Sequence, residues 1–219
     1  MTRAFALLLT FLVVSPVGVA ALVGGAGGHD KSSTGAVPTA SARFRSGVFD
    51  PPRAAPDFVL RGSDGSSVTL ARYRGKVVLL EFGFTHCQRV CPTTLSSLGQ
   101  AFKRLGASAG EVQLIFVTVD PKRDSPERLR EYLQFFNPTF IGATGTSDSL
   151  EETQTQLDVV RHAYGIVISK VHQKDNPVYD VHHTSSVGLI DRQGMLRALI
   201  PFGKPIDDIV HDVQLLLEQ

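Results

Sequence analysis

The sequence predicts an α/β protein built on a mixed sheet flanked by helices, and three observations carry that expectation. Two apolar runs, Lys76 to Phe84 and Val112 to Val119, suit buried strands and are separated by a helix-length segment. Two turn sequences, Ser63-Asp64-Gly65 and Asp191-Arg192-Gln193-Gly194, each sit between short strand-like stretches, as in hairpins. From Pro205 onward, Ile206, Ile209, Val210, Val213, Leu216 and Leu217 recur at the spacing of an amphipathic helix.

The N-terminus is organised differently. Met1-Thr2-Arg3 supplies a positive charge, and a nearly continuous apolar stretch then runs from Ala4 to Ala26. That run exceeds a usual signal-peptide core, and about 20 apolar residues suffice to cross a bilayer. Arg3 ahead of it predicts a cytoplasmic N-terminus with the remaining chain exported. Pro16 and Gly18-Val19-Ala20 also fit a signal peptide cleaved after Ala20, which would release a soluble exported product. Gly24 to about Ala55 is rich in Gly, Ser, Ala and Pro without hydrophobic period, as in a tether. The expected organisation is a membrane anchor or signal segment over 1–26, a flexible linker over 27–55 and a folded domain over 56–219.

Within the domain, Asp57 to Leu60 and Ser67 to Leu70 flank the first hairpin turn. The strand Lys76 to Phe84 leads through Cys87 and Cys91 into a helix ending near Gly106. The strand Val112 to Val119 stops at Asp120-Pro121. Ser125-Pro126-Glu127 combines an N-cap, a first-turn proline and an early acid, starting a helix through Phe136 that Asn137-Pro138 closes. A short strand is expected at Phe140 to Gly142. Ser147-Asp148 opens a further helix with Leu150, Leu157, Val160 and Tyr164 along one face. Gly165 to Ser169 reads as a strand, Asp175-Asn176-Pro177 as a turn and Val178 to Val181 as its return. Val187 to Ile190 and Leu196 to Phe202 form the second hairpin before the last helix. This order fits a thioredoxin-like core with an N-terminal β-hairpin and an inserted hairpin near Ile166 to Val181.

A net charge of +1 and the lack of any Lys/Arg cluster exclude nucleic acid as a partner. The chemistry lies elsewhere. The chain has two cysteines, in Thr85-His86-Cys87-Gln88-Arg89-Val90-Cys91-Pro92, between a strand end and a helix start. A helix N-terminus favours the thiolate, which is both nucleophile and soft metal ligand. Four residues apart on a helix, both sulfurs would share a face within disulfide reach. Two core cysteines fit this position poorly, and a structural disulfide closing so short a loop would add little stability. The pair therefore reads as functional. In a thioredoxin-like sheet, the loop Val181-His182-His183-Thr184 faces it, with two histidines where a cis-proline is usual. Two thiolates and one imidazole suit copper, sulfur favouring Cu(I), imidazole supporting Cu(II), and three ligands leaving a position open. Solvent-facing loop histidines are the alternative.

Three strings, Phe82-Gly83-Phe84-Thr85-His86-Cys87-x-x-x-Cys91-Pro92, Thr118-Val119-Asp120-Pro121-x-Arg123-Asp124 and Val181-x-His183-Thr184, resemble the Sco/SenC family from about Pro56 to the C-terminus. That resemblance implies a thioredoxin-fold copper protein that helps assemble the binuclear copper centre of cytochrome c oxidase. Carried onto this sequence, it implies one copper ion, as Cu(I) or Cu(II), on Cys87, Cys91 and His183. Implied partners are the copper-binding subunit of a terminal oxidase, a thiol reductant or other copper carrier, and the membrane through the N-terminal segment. This chain departs from the family pattern in having Gln88-Arg89 where many members have Pro-Asp, and His182 where many have Asp. His86 would then sit behind the ligands, and Asp120 and Asp124 match a paired-acid loop that serves partner docking or acts merely as a turn and a pre-cap residue. Two functions follow from the same cysteines: copper delivery, or reduction of the oxidase's cysteines as a thiol-disulfide oxidoreductase. A redox sensor is a third reading. The imidazole separates the first two, because thiol exchange runs on sulfur alone.

Overall fold

The computed structural model describes residues 44–172 and 179–219. The expected anchor or signal segment, the linker up to residue 43, and the turn at Asp175-Asn176-Pro177 lie outside the described residues. Among the described residues, no helix is long and apolar enough to cross a membrane.

Strand β1 (Gly47–Ala54) comes first, and it corrects the linker expectation: residues 47–54 belong to the sheet. Pro51 and Pro52 hid it, since proline supplies no ladder N–H and is tolerated at a sheet edge. β1 occupies that edge, and its pairing register breaks between Val48 and Arg53. The first hairpin, β2 (Leu60–Gly62) and β3 (Ser67–Val68), turns through Gly65 at φ 81°. β4 (Val77–Gly83) is buried along its whole length and ends where α1 (Val90–Leu105) is about to begin. On α1 the buried residues Cys91, Leu95, Leu98, Phe102 and Leu105 follow the helical repeat. β5 (Val112–Thr118), also fully buried, pairs parallel to β4. Crossing over through a helix, the two read as continuous apolar runs because both faces are covered.

Ser125 caps α2 (Pro126–Gln134), its hydroxyl accepting the Arg128 N–H, as expected from the Ser-Pro-Glu string. β6 (Ile141–Thr144) adds parallel to β5, and α3 (Leu150–Ala163) follows. The cap of α3 is Ser149 rather than Ser147, so Leu150 is the first helical residue and is exposed, while Leu157 and Val160 are buried. Gly165, at φ 68°, terminates α3 by donating its N–H to the His162 carbonyl. The glycine thus belongs to the helix end, and the following strand β7 (Ile168–His172) starts three residues later than its sequence suggested. β7 pairs with β8 (Tyr179–His183) as a separate two-stranded sheet, the inserted hairpin. β9 (Ser186–Ile190) runs antiparallel to β4, β10 (Met195–Pro201) antiparallel to β9, and α4 (Ile206–Leu217) packs on α1.

The main sheet therefore runs β1-β10-β9-β4-β5-β6-β2-β3. Its two central parallel strands are lined by Leu79, Leu80, Leu114, Ile115 and Phe116, all essentially inaccessible. The mixed sheet, the N-terminal hairpin and the inserted hairpin match the predicted fold class. The C-terminal ends of β4 and β5, where α/β folds carry chemistry, point toward the inserted hairpin that bears His183.

Candidate metal centre

Cys87 does not lie on α1. It sits in the loop between β4 and the helix, which corrects the shared-helix-face expectation; only Cys91 is helical. The loop nevertheless folds the two together. The N-cap residue Arg89 offers no side-chain acceptor to the helix, and the Cys87 sulfur fills that role, accepting the Cys91 N–H at 3.4 Å. Both cysteines are free, Cys87 half-buried and Cys91 fully buried. Gly83 makes room for the latter: a Cβ at this position would lie 2.9 Å from the Cys91 sulfur and 2.7 Å from the Phe116 ring.

The thiols titrate far apart. A hydrogen bond from the Cys91 thiol is the main reason Cys87 is pulled down to about 5; burial opposes this, and the N–H groups of Cys91, Arg89 and Val90 add to the lowering. Cys91 is pushed strongly upward, first by that same shared hydrogen bond, then by burial and by Glu81. Near neutral pH the pair is one accessible thiolate and one buried thiol.

His183 ends β8. Its Nδ1 lies 2.8 Å from the Thr184 carbonyl oxygen. A carbonyl only accepts, so Nδ1 is the nitrogen that donates here and Nε2 is the one left to face the cysteines. That nitrogen faces the Cys91 sulfur at 3.7 Å. Metal bonds of about 2.3 Å to sulfur and about 2.0 Å to nitrogen at a tetrahedral angle, the dimensions of zinc sites, set such donors about 3.5 Å apart. The pair fits a common metal, and its soft-plus-imidazole chemistry fits copper. Cys87 is joined to Cys91 and Cys91 to His183, but the three donors are not closed around one point. Among the described residues, no three His, Cys, Asp or Glu side chains are gathered tightly enough to hold a metal ion. His182 is exposed, and its position on the strand directs it to the face opposite His183.

The paired-acid loop supports the site from below. Asp124, completely buried, accepts the Thr85 N–H at 3.1 Å, the Thr85 hydroxyl at 2.7 Å and the Thr118 hydroxyl at 2.7 Å. Burial raises its pKa and these bonds partly restore it. It thereby ties the cysteine loop to the end of β5. His86 contacts Thr85, with Nδ1 3.1 Å from the hydroxyl, and lies 3.9 Å from Asp124. Asp120 is held by Arg123 and receives the Tyr179 hydroxyl at 2.6 Å.

One residue escaped the sequence reading. Glu81 sits in the middle of β4, 5% exposed, with one carboxylate oxygen unpartnered, and lines a narrow cleft with His183, Ser185, Ser186 and Thr94. Burial first, then the Cys87 thiolate, holds its pKa well above the carboxylate range. Its signal was visible as the lone charge inside an apolar strand.

Residues 49–218 match the family model described as SCO1/SenC. A SCO2-like protein of Rickettsia conorii is 34% identical over 139 residues, covering 63% of this chain and 64% of its own length. This chain thus spans slightly less than two thirds of that relative. Among solved structures, apo Sco1 of Thermus thermophilus is 35% identical with a TM-score of 0.68, over 80% of this chain and 97% of that one. The copper-bound ScoI of Bradyrhizobium japonicum is 29% identical with a TM-score of 0.66, over 75% and 99% of the two chains.

Proposed function

The chain belongs to the SCO1/SenC family, and from that premise we propose that it is an exported copper chaperone, tethered by its N-terminal apolar segment. It binds one copper ion through Cys87, Cys91 and His183 and passes it to the copper-binding subunit of a terminal oxidase. The observation that carries this reading is the Nε2 of His183 facing the Cys91 sulfur at 3.7 Å while Nδ1 is taken up by the Thr184 carbonyl. The copper held by the Bradyrhizobium relative supports the choice of metal. Bound copper supplies the cargo. The residues supply two thiolate donors, one oriented imidazole and a coordination position left open for an incoming ligand. Closing the third donor onto the other two falls to the cysteine loop, where Cys87 is half-buried.

The thiol asymmetry favours a second reading, reduction of the oxidase's cysteines. The Cys87 thiolate attacks one sulfur of a partner disulfide, the partner S–S bond breaks, and a mixed disulfide forms as one partner thiolate leaves. Cys91 then loses its proton and attacks the Cys87 sulfur, releasing the second partner thiol and leaving Cys87 and Cys91 oxidised. An external thiol reductant returns the pair to its starting state.

Copper titration of the reduced chain and its His183→Ala variant separates the two. Under the chaperone reading, Cu(II) affinity falls tenfold or more, in line with the roughly 10–100-fold lost even when partners of metal ligands are removed. Disulfide reduction persists, and His182→Ala has the smaller effect. Prior oxidation of the cysteines abolishes binding, because a disulfide offers no thiolate. Unchanged copper binding in His183→Ala, with thiol exchange lost on removing either cysteine, would replace the chaperone with the oxidoreductase.

A further inference from the structure

We propose that Arg123 is a positioning residue that clamps the β7–β8 hairpin to the core, with Asp120 and Tyr179, and so sets where His183 stands. The proposal rests on the reading of His183 as a copper ligand. Among the described residues, β8 pairs with β7 and with no strand of the main sheet. A two-stranded hairpin is marginal by itself in water. Side-chain contacts with the core therefore help to hold its position.

Arg123 supplies several at once. Its Nε donates to Asp120 Oδ2, and its Nη1 donates to the Tyr179 carbonyl at 3.1 Å, at the first residue of β8. The guanidinium lies 4.0 Å from the centre of the Tyr179 ring and 5.6 Å from that of Phe84. Tyr179 closes the circuit by donating its hydroxyl to the other oxygen of Asp120 at 2.6 Å. Phe84, which the guanidinium also approaches, meets the His183 ring edge-on with centroids 6.1 Å apart. Arg123 thus touches both the strand that carries the histidine and the aromatic that flanks it.

Asp120 is wholly buried and the Arg123 side chain is largely so. A desolvated charge pair whose carboxylate also receives the Tyr179 hydroxyl is stiff, unlike an exposed ion pair. Tyr179 and His183 lie about 13 Å apart along the strand at ordinary rise. Securing the far end of so short a strand, together with the burial of Val181 midway, holds the near end in register with Cys91. Lysine could not replace this arginine, because the arrangement uses a planar fork that bonds in two directions while stacking on two rings.

The test compares the full reduced chain with Arg123→Lys and Tyr179→Phe, first without metal and then with Cu(II). Without metal, Arg123→Lys should speed amide exchange through Val181 to His183 at least tenfold and shift the His183 ring-proton resonances, which report the edge of Phe84. With Cu(II), affinity should fall roughly 10–100-fold and the imidazole nitrogen coupling in pulsed EPR should weaken. Tyr179→Phe, losing one hydrogen bond but keeping the stack, should move each readout the same way by less. Unaltered exchange and unaltered His183 resonances in Arg123→Lys would overturn the clamp, whatever copper does. Moved resonances with undiminished Cu(II) affinity would uphold the clamp and overturn the ligand reading of His183. Should Arg123→Lys fail to fold, Tyr179→Phe decides on the same readouts.

Discussion

Alkylation of Cys87 across the pH range tests the electrostatics of the thiol pair directly. With its pKa lowered to about 5, Cys87 is almost entirely thiolate at pH 7. An ordinary cysteine near 8.5 is about 3% thiolate there, so the population advantage is roughly 30-fold. Nucleophilicity falls with basicity, however, and a drop of roughly 3.5 units at a Brønsted slope of 0.4–0.5 costs about 25–60-fold. The two effects cancel near neutrality, and Cys87 should alkylate at pH 7 about as fast as a free thiol. At pH 5 half of Cys87 remains ionised against about 0.03% of a free thiol, leaving a net advantage of roughly 30–60-fold. Iodoacetamide labelling of the reduced chain, mapped by peptide mass spectrometry, should give a rate profile with its midpoint near pH 5 and label only at Cys87. Cys91→Ala removes the donor that lowers it most and should move the midpoint up. A midpoint near 8, or earlier labelling of Cys91, would refute the asymmetric pair.

Glu81 binds its proton more tightly in the folded chain than in the unfolded one, so its contribution to stability falls as pH rises above the ordinary carboxylate range. Urea midpoints of Glu81→Gln relative to the parent should therefore climb between pH 5 and pH 8; a constant difference would contradict the burial argument. Gly83→Ala forces a methyl against the Cys91 sulfur and the Phe116 ring, and should cost about 1–3 kcal/mol by overpacking. A loss below about 0.5 kcal/mol, the range of innocuous surface changes, would show that the strand end has room.

The strands that position the site were legible because they are the most buried. Val77–Gly83 and Val112–Thr118 are covered on both faces and so carry unbroken apolar runs. β1 was not, because an exposed edge strand selects neither alternation nor β-branched residues and admits Pro51 and Pro52. Cys87 and Cys91 stood out by type and spacing, yet their geometry differs from a shared helix face, since Arg89 starts the helix only after Cys87. His183 could be told from His182 only by resemblance. In the fold, strand alternation separates the two rings, and it is the His183 Nε2 that lies 3.7 Å from the Cys91 sulfur. Tyr179 was out of reach altogether: it meets Asp120 across 59 residues, through a hairpin whose placement no local pattern encodes.

The sulfur that begins helix α1 has a consequence for which state the protein rests in. A metal-bound thiolate keeps its charge density and still accepts an N–H, whereas a disulfide sulfur is neutral and accepts poorly. Oxidation uncaps the helix, and copper loading does not. Losing a helix cap costs roughly 0.5–2 kcal/mol, which corresponds to a bias of about 2- to 30-fold toward the dithiol. Helix α1 is in this sense a built-in reducing influence, holding the cysteines in the one form that can receive a metal.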